Sequence, residues 1–497
     1  MLHVVADEKL HVAGLTERQK RIIKKKLTVT NPQWRSAVLF SGYNPAFIQI
    51  PKYITLYKDA GRELVLPRGF DLSAVVSGQK TVEHNYCTAP VKFPEPKIKL
   101  KSHQQVAYDH FVANYKTRPF RTYLEVLEVS AGKTILTAMI ANFLNQRTLV
   151  LVHTKMIMDA WLSDLELLYG KEYRKEIGII QGPKAFLGTH YTIAMTQTWF
   201  RRQQYWSDWF KEFGCLVVDE CHLTPARTFT DCANEFPAKF RIGITGTPKR
   251  KDGLHKLMYQ IFGTPFYEQT TTGEETETSL PISDVRVIDG GSRLPAYVVR
   301  EIKYKVGGKV KKKFVKVPPD GERDYKLILD TIANDRNRTA SIVNTAQRHI
   351  TDTKGSVLVV THRRKHAKRI CQMMRVRTGK AVALLLGGMG KRRMNKFVRK
   401  LKRRKIRLAV ATMQFIKTGA SVPPLDLLII TTPIGSVQDL EQVTGRIRRK
   451  CVGKTSAVVA HYVDSAIPLC KRHFITKAIA FYRDKLKVAR FKNTYIG

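Results

Sequence analysis

Short apolar runs alternate with helical patterns over most of the chain. In the stretch from residue 96 to residue 265 the apolar runs are 148–152, 191–195, 215–218 and 242–244. Runs that are apolar on both faces and are joined by helices indicate a parallel sheet. The same alternation returns at 357–360, 408–410 and 427–430. The pattern therefore predicts an α/β chain with two parallel-sheet lobes in series.

The segments outside these lobes have other patterns. Residues 1–95 combine a basic helical stretch at 15–27 with short apolar strands at 47–50 and 63–66, and the proline-rich run 90–96 follows. Proline fixes φ and cannot join a central strand, so this run predicts a linker. Residues 266–325 hold Thr, Gly and Lys-rich turns around strands at 285–288 and 312–315. We expect a small N-terminal α+β accessory domain that binds nucleic acid (1–95), a first lobe (96–265), a hinge with a small β insertion (266–325) and a second lobe (326–497).

The charge balance points to a polyanionic partner. The 497 residues include 86 Lys and Arg against 41 Asp and Glu, a net charge of +45. Phosphate contacts made by Lys and Arg release counterions, which favours nucleic acid as the partner. A solvated basic surface or an anionic-membrane binder is the alternative. The seven cysteines form no C-x-x-C pair and no long apolar stretch occurs, so we expect a soluble, intracellular protein without structural zinc or a membrane partner.

A candidate phosphate-binding loop lies at Ala131-Gly132-Lys133-Thr134. It follows the strand-like run 122–127 and precedes the helical run 135–144. In that context the backbone N–H groups and the helix dipole face an anion, Lys133 reaches the β and γ phosphates, and Thr134 can hold Mg²⁺. Residues 453–456 also read Gly-Lys-Thr-Ser, but a strand pattern follows them, so we do not interpret them as a phosphate loop.

A second candidate site is the acidic pair Asp219-Glu220, which follows the apolar run 215–218. At the tip of a strand Asp219 can bind Mg²⁺, and Glu220 can orient and deprotonate the attacking water. His222 would then sense the γ phosphate. The alternative is that the two carboxylates are a solvated loop start or a helix cap.

An arginine-rich helical pattern near the C-terminus carries Gln442, Arg446 and Arg449. Two guanidiniums three residues apart lie on one helical face, where both can meet a triphosphate in the manner of arginine fingers. A solvated or nucleic-acid-facing surface is the alternative.

The order of these motifs resembles superfamily 2 helicases of the DExH type over roughly residues 96–465. Such helicases have two tandem RecA-like lobes, and among them the chain is similar to phage and viral helicases of the UvsW-like branch-migration and poxvirus transcript-release kinds. The resemblance implies an adenine contact by Gln104 and a phosphate loop of residues Ser130, Ala131, Gly132, Lys133 and Thr134. It implies nucleic-acid contacts by His153, Thr154, Lys155, Thr196, Gln197, Thr361, Arg363, Arg364 and Thr412. It implies coupling of the nucleotide to the strand by Thr245, Thr247 and Gly419.

The resemblance implies an ATP- and Mg²⁺-dependent enzyme that acts as a monomer. We expect the lobes to close on ATP held between four residues, Lys133, Asp219, Glu220 and Arg449. The preferred use is remodelling of branched or duplex DNA. The basic runs 309–313 and 390–405 would hold duplex arms. An RNA-directed or transcript-release helicase is one alternative. A nucleic-acid clamp without turnover is another, because Leu127, Ser130 and Ser421 depart from the family pattern.

Overall fold

Contacts along the chain form two compact units, residues 1–270 and 271–497. The computed structural model describes residues 2–41, 50–127, 132–202, 207–222, 236–246, 248, 254–269, 280–306, 309–319, 321, 323–353, 355–417, 425–448, 450, 454, 457–488 and 490–493. The predicted strand at 47–50 lies almost wholly outside these residues.

The first unit begins with a small α+β region. Its elements are β1 (Leu2–Ala6), β2 (Lys9–Ala13), α1 (Glu17–Lys26), β3 (Thr28–Thr30), α2 (Pro32–Ser41), β4 (Tyr53–Thr55), β5 (Lys58–Asp59), β6 (Glu63–Pro67) and β7 (Lys80–His84). Five strands form a sheet in the order β5-β6-β2-β1-β7. Helix α1 confirms the predicted basic helix: the hydroxyl of Thr16 caps its first turn and Ile23 faces the core.

Arg68, just after β6, joins this small sheet to the rest of the first unit. Its buried guanidinium donates to the carbonyls of Phe120 at 2.9 Å, Ala238 at 2.6 Å and Asp7 at 3.1 Å, and also to that of Lys239. These carbonyls come from both parts of the unit. The positive charge is therefore surrounded by oxygen atoms that would otherwise need other donors.

The remainder of the first unit is the first parallel-sheet lobe. Its elements are α3 (Ser102–Asn114), β8 (Thr122–Val126), α4 (Lys133–Leu144), β9 (Thr148–Val152), α5 (Lys155–Tyr169), β10 (Gly178–Gln181), β11 (Lys184–Phe186), β12 (Tyr191–Met195), α6 (Thr196–Arg202), β13 (Cys215–Asp219), β14 (Phe240–Thr245), α7 (His255–Phe262) and β15 (Pro265–Glu268). The strand order is β11-β10-β12-β9-β13-β14-β8-β15, and only the β10–β11 pairing is antiparallel. Apolar cores cover both faces of the sheet, as the doubly apolar strand runs require.

The second unit contains the second parallel-sheet lobe. Its elements are β16 (Asp284–Asp289), β17 (Val298–Val306), β18 (Lys309–Val317), α8 (Tyr325–Asn334), α9 (Arg336–Asp352), β19 (Val357–Thr361), α10 (Arg364–Thr378), β20 (Val382–Leu385), α11 (Lys391–Lys402), β21 (Leu408–Thr412), α12 (Met413–Lys417), β22 (Leu427–Ile430), α13 (Val437–Arg448), β23 (Val458–Val463), α14 (Pro468–His473) and β24 (Arg490–Asn493). Its sheet, in the order β20-β21-β19-β22-β23-β16-β24, is parallel throughout. The predicted α/β class with two parallel-sheet lobes is confirmed.

One strand lies where the sequence did not predict it. Residues 285–288 were expected in a hinge insertion, but they form β16, which pairs with β23 on one side and β24 on the other. Val285 and Val287 are buried, so this strand is an interior strand of the second sheet. The inserted part is the β17–β18 hairpin, which forms a two-stranded sheet of its own.

A buried ion pair ties α9 to the end of β23. Arg338 Nε lies 2.9 Å from Asp464 Oδ1, and Arg338 Nη2 lies 3.0 Å from Asp464 Oδ2.

Within the described residues, no helix combines the length and the apolar character needed to cross a membrane.

Candidate active site

The carboxyl edge of the first sheet collects the polar residues that the sequence singled out. Strands β8, β9, β12, β13 and β14 run parallel. Lys133 follows β8, His153 follows β9, Asp219 ends β13 and Thr245 ends β14. Ligand sites of open α/β sheets form at this edge, and the fold therefore brings these residues together.

Gln104 contacts Gly132, the residue that precedes α4. Gly132 has a φ of 73°, a left-handed conformation that favours glycine. Gln104 Nε2 donates to the carbonyl of Gly132 at 3.0 Å, and Gln104 Oε1 accepts from the backbone N–H of Lys101 at 2.9 Å. A Cβ atom at position 132 would lie 2.5 Å from Gln104 Nε2. The buried amide of Gln104 therefore fixes Gly132 at the start of α4. The predicted adenine contact of Gln104 stays a prediction.

A chain of polar contacts links α4 to the end of β14. Lys133 Nζ lies 3.3 Å from Glu220 Oε1, and His222 Nδ1 lies 3.3 Å from Glu220 Oε2. The same His222 nitrogen lies 2.7 Å from Thr245 Oγ1. Glu220 has a φ of 48°, which is uncommon for a residue with a side chain and occurs often at functional sites. Glu220 and His222 together therefore connect the lysine of the candidate phosphate loop to the threonine of the predicted coupling motif.

The two neighbouring carboxyl groups have opposite pKa shifts. Burial, together with the adjacent Glu220, raises the pKa of Asp219 to about 6. Burial alone would raise the pKa of Glu220 as well, but the ammonium of Lys133 and the ring of His222 hold it below its ordinary range. Lys133 forms an ion pair with Glu220. Its positive charge therefore favours the ionised form of Glu220 more than that of Asp219.

Trp161 and Asp164, one turn apart on α5, contact the two predicted metal ligands. Trp161 Nε1 donates to Asp219 Oδ2 at 2.8 Å. Asp164 accepts a hydrogen bond from Thr134; burial raises the pKa of Asp164, and this hydrogen bond opposes the rise. Neither Trp161 nor Asp164 was predicted as a site residue. Their spacing of three residues on the helix after β9 is the only signal, and it is weak without the fold.

Thr134 and Asp219 fit a magnesium ion. Hydroxyl and carboxylate oxygens are the hard ligands that Mg²⁺ takes together with water and phosphate oxygens. The raised pKa of Asp219 indicates that this buried carboxylate is short of positive charge, which a divalent cation would supply. Both residues are therefore suitable ligands for the ion that accompanies a bound nucleotide.

The predicted nucleic-acid residues of the first unit flank the same edge. Burial lowers the pKa of His153, whose neighbours include Glu220 and His222. The hydroxyl of Thr154 caps α5 by accepting from the N–H of Ile157 at 3.3 Å. Thr154 therefore fixes the start of the helix that carries the Asp219 and Thr134 contacts.

Side chains beside His153 tie neighbouring loops together. Lys155 Nζ donates to Gln181 Oε1 at 3.0 Å, Thr196 Oγ1 donates to the carbonyl of Val152 at 3.1 Å, and Gln197 Nε2 donates to the carbonyl of His153 at 3.0 Å. These contacts join the loops after β9, β10 and β12. The nucleic-acid contacts expected of Lys155, Thr196 and Gln197 stay predictions.

In the second unit the corresponding residues lie at the ends of β19 and β21. Thr361 Oγ1 lies 3.0 Å from His366 Nδ1, and Thr412 Oγ1 accepts from the N–H of Gly387 at 2.9 Å. Arg363 pairs with Asp330 at 2.9 Å. Arg364 begins α10. Three of these four predicted nucleic-acid residues thus have protein contacts that fix their side chains.

The predicted arginine motif lies on α13. Arg446 is buried and donates to the carbonyl of Ile416 at 3.1 Å. Gln442 Oε1 is buried and accepts no hydrogen bond from the part of the chain that the structure describes. Some predicted site residues lie outside the described residues: Ser130, Ala131, Thr247, Gly419 and Arg449. Ser421, a departure from the family pattern as Ser130 is, also lies outside them.

Two family models match the chain. The family described as "Type III restriction enzyme, res subunit" matches residues 97–250, and "Helicase conserved C-terminal domain" matches residues 341–451. The first match spans the candidate active site, and the second spans β19 to the end of α13.

Similar proteins come from phages and large viruses. "Probable helicase D10" of Escherichia phage T5 is 24% identical over 76% of this chain and 73% of its own length. "Putative ATP-dependent RNA helicase L396" of Acanthamoeba polyphaga mimivirus is 22% identical over 89% of this chain and 79% of its own. "ATP-dependent DNA helicase uvsW" of Enterobacteria phage T4 is 23% identical over 68% of this chain and 64% of its own length. The predicted resemblance to phage and viral helicases is thereby confirmed.

The fold is also found among solved structures. A fragment of a putative HsdR subunit of a type I restriction enzyme from Vibrio vulnificus matches with a TM-score of 0.55 and 18% identity, over 78% of this chain and 67% of that one. At this identity the likeness concerns the fold alone.

Proposed function

We propose that this chain, which belongs to the superfamily 2 helicases, uses ATP hydrolysis to unwind or remodel branched or duplex DNA. The two helicase domains make it a nucleic-acid-dependent ATPase. The observation that carries the proposal is the contact chain from Lys133 through Glu220 and His222 to Thr245.

Each residue of this contact chain has a defined role in the proposal. Bound ATP supplies the phosphoanhydride bond. Thr134 and Asp219 would hold Mg²⁺, which would supply positive charge against the phosphates. Lys133 keeps Glu220 ionised, so its carboxylate can take a proton from the attacking water. His222 contacts both Glu220 and Thr245. A shift of Glu220 during turnover would therefore reach the end of β14.

Helix α5 offers a route by which nucleic acid would stimulate hydrolysis. The helix starts at Thr154 and Lys155, which are predicted to contact a strand, and it reaches Asp219 and Thr134 through Trp161 and Asp164. A packed helix transmits displacement along its axis. A nucleic acid that fixes the start of α5 would thus fix both proposed metal ligands. Gln442, Arg446 and Arg449 remain predicted contributors to hydrolysis.

Two observations favour opposite substrates. The T4 relative is named a DNA helicase and the mimivirus relative an RNA helicase. We favour DNA because a net charge of +45 suits a protein that holds several duplex arms. An RNA-directed helicase is the second candidate, supported by the name of the relative that covers most of this chain among those given above.

A comparison of phosphate release with different nucleic acids tests the proposal. The full chain is assayed with single-stranded DNA, forked DNA, duplex DNA and single-stranded RNA at equal nucleotide concentration. Forked DNA is expected to stimulate most. Stronger stimulation by RNA would favour the second candidate, and no stimulation by any nucleic acid would contradict both.

A further inference from the structure

The β17–β18 hairpin is a strongly basic ribbon. Residues 298–317 include seven lysines and one arginine against one glutamate, a net charge of +7. Each strand has nine residues, so the ribbon is about 30 Å long. It forms a two-stranded sheet, and a hairpin of that size is marginally stable in water by itself. Its charge is therefore a feature that folding alone does not require.

The strand register sets like charges opposite one another. The backbone of Lys303 pairs directly with that of Lys312. Like charges directly across an antiparallel pair are destabilising. A bound polyanion would offset this concentration of positive charge, because phosphates attract lysines.

Apolar side chains at the base of the ribbon are exposed rather than packed. Phe314 is 69% exposed, Val299 is 60% exposed and Tyr297 is 50% exposed. Phe314 is paired with Glu301 and Val299 with Lys316, so both apolar residues share one face of the ribbon with Lys316. Lys316 Nζ lies 4.5 Å from the centre of the Tyr297 ring. This face thus offers apolar contact and positive charge side by side.

The ribbon is anchored to the second unit at its base. Arg300 forms an ion pair with Asp324, the residue that precedes α8. Val298, Val315 and Val317, near the same end, are half-buried. The end of the hairpin near Arg300 is therefore fixed to the second unit. Most of its lysines lie nearer the other end, where Val306 pairs with Lys309.

We propose that the β17–β18 ribbon binds double-stranded DNA by entering its major groove. A two-stranded ribbon fits the major groove of B-form DNA, which is about 12 Å wide. The lysines would contact the phosphates on both sides, and Phe314 and Val299 would contact groove walls and thymine methyl groups. The major groove of an RNA duplex is too deep and narrow for such a ribbon. A single strand has no groove to enter.

This inference rests on the proposed function and specifies its substrate, and equilibrium binding without ATP tests it separately. Binding of the full chain to a labelled DNA duplex is measured by anisotropy over a series of salt concentrations. The variant carries Lys311→Gln, Lys312→Gln and Lys313→Gln. We expect its duplex affinity to fall by about one to two orders of magnitude at roughly 0.1 M salt, and the slope of log affinity against log salt to shrink by about 2 to 3.

Matched variants separate the surface from general charge loss. Three exposed lysines outside the ribbon, changed together as Lys171→Gln, Lys471→Gln and Lys477→Gln, remove the same charge and should leave duplex affinity within about threefold. Lys→Arg changes at 311, 312 and 313 should restore binding, and Phe314→Ser should weaken it without altering the salt slope.

The outcomes that overturn the inference are specific. Unchanged duplex affinity in the triple ribbon variant overturns it, and so does an equal loss of affinity for duplex RNA or single-stranded DNA. ATPase stimulation by single-stranded DNA in the ribbon variant should equal that of the unaltered chain. If no nucleic acid stimulates ATP hydrolysis by the unaltered chain, the proposed function fails, while the binding result still stands or falls alone.

Discussion

Trp161 donates its indole N–H to Oδ2 of Asp219 across 2.8 Å, and both side chains are buried. The backbone N–H of Glu220 donates to the other oxygen at 2.7 Å. Two donors therefore fix the plane of the Asp219 carboxyl group before any cation arrives. Preorganised ligands bind a metal more tightly because less ordering is needed on binding.

Replacing Trp161 with Phe should weaken magnesium binding. The change removes a hydrogen bond to a charged group, worth roughly 1.5–3 kcal/mol, so the Mg²⁺ concentration for half-maximal ATPase activity should rise about ten- to hundredfold. Mn²⁺ binding in the presence of nucleotide, followed by electron paramagnetic resonance, reports the same shift without turnover. Trp199→Phe, another buried tryptophan of this unit, is the control. A purely structural role for Trp161 would lower the unfolding temperature and leave both metal curves unmoved.

Replacing Glu220 with Gln should abolish DNA-stimulated ATPase activity and leave binding of ATP and DNA intact. The amide keeps the shape of the side chain but cannot accept the proton of the attacking water, and such a loss costs roughly 10² to 10⁴ in rate. Glu166→Gln on α5 is a suitable control, because within the described part of the chain the Glu166 carboxylate pairs only with Arg174, at 3.5 Å on the surface. Undiminished turnover in the Glu220 variant would exclude this residue as the base.

Glu125 on β8 should make stability depend on pH. It is fully buried, and within the described residues neither carboxyl oxygen has a hydrogen-bond partner. Burial raises its pKa from the ordinary 4.5 to about 8. The folded chain therefore holds this proton more tightly than the unfolded chain. The contribution of this proton to the free energy of unfolding is complete below about pH 4.5. It is lost as the pH rises toward 8, at roughly 1.4 kcal/mol per pH unit.

Glu125→Gln should remove this dependence, so the variant should gain stability relative to the unaltered chain as the pH rises through 8. Urea unfolding at several pH values measures the difference, with the exposed Glu83→Gln as the control. Parallel stability curves for the unaltered chain and Glu125→Gln would show that Glu125 is not protonated in the folded protein.

Asp464→Asn should strongly destabilise the second unit. The change leaves the buried guanidinium of Arg338 without its bidentate partner, and breaking such a pair typically costs about 3–5 kcal/mol. Arg286→Gln removes an exposed pair with Asp284 and should cost less than about 1 kcal/mol. Differential scanning calorimetry compares the two variants. Equal shifts would mean that the Arg338 charge finds other compensation.

The sequence was most informative where the signal is local. Apolar runs predicted the central strands of both sheets, because burial on both faces leaves little choice of residue. Two tetrapeptides resembled a phosphate loop, and the element after each one separated them: α4 begins at Lys133, whereas β23 begins at Val458.

What the sequence did not predict depends on contacts between distant segments. Asp219 and Trp161 are 58 residues apart, and nothing near either residue marks the hydrogen bond. Strand β16 has the short apolar pattern of an ordinary hairpin strand. In the structure it lies between β23 and β24 in the second sheet. Pairing of this kind follows from topology rather than from local pattern.

The four carbonyl groups around Arg68 affect how the protein can be dissected. A fragment that begins at residue 96 would keep the carbonyls of Phe120, Ala238 and Lys239 but lose the donor that they share. Each buried carbonyl left without a partner costs about 1–3 kcal/mol, and that loss falls on the lobe that carries Lys133 and Glu220. Inactivity of such a shortened protein would report damage to its ATPase lobe, and would say little about what the missing residues bind.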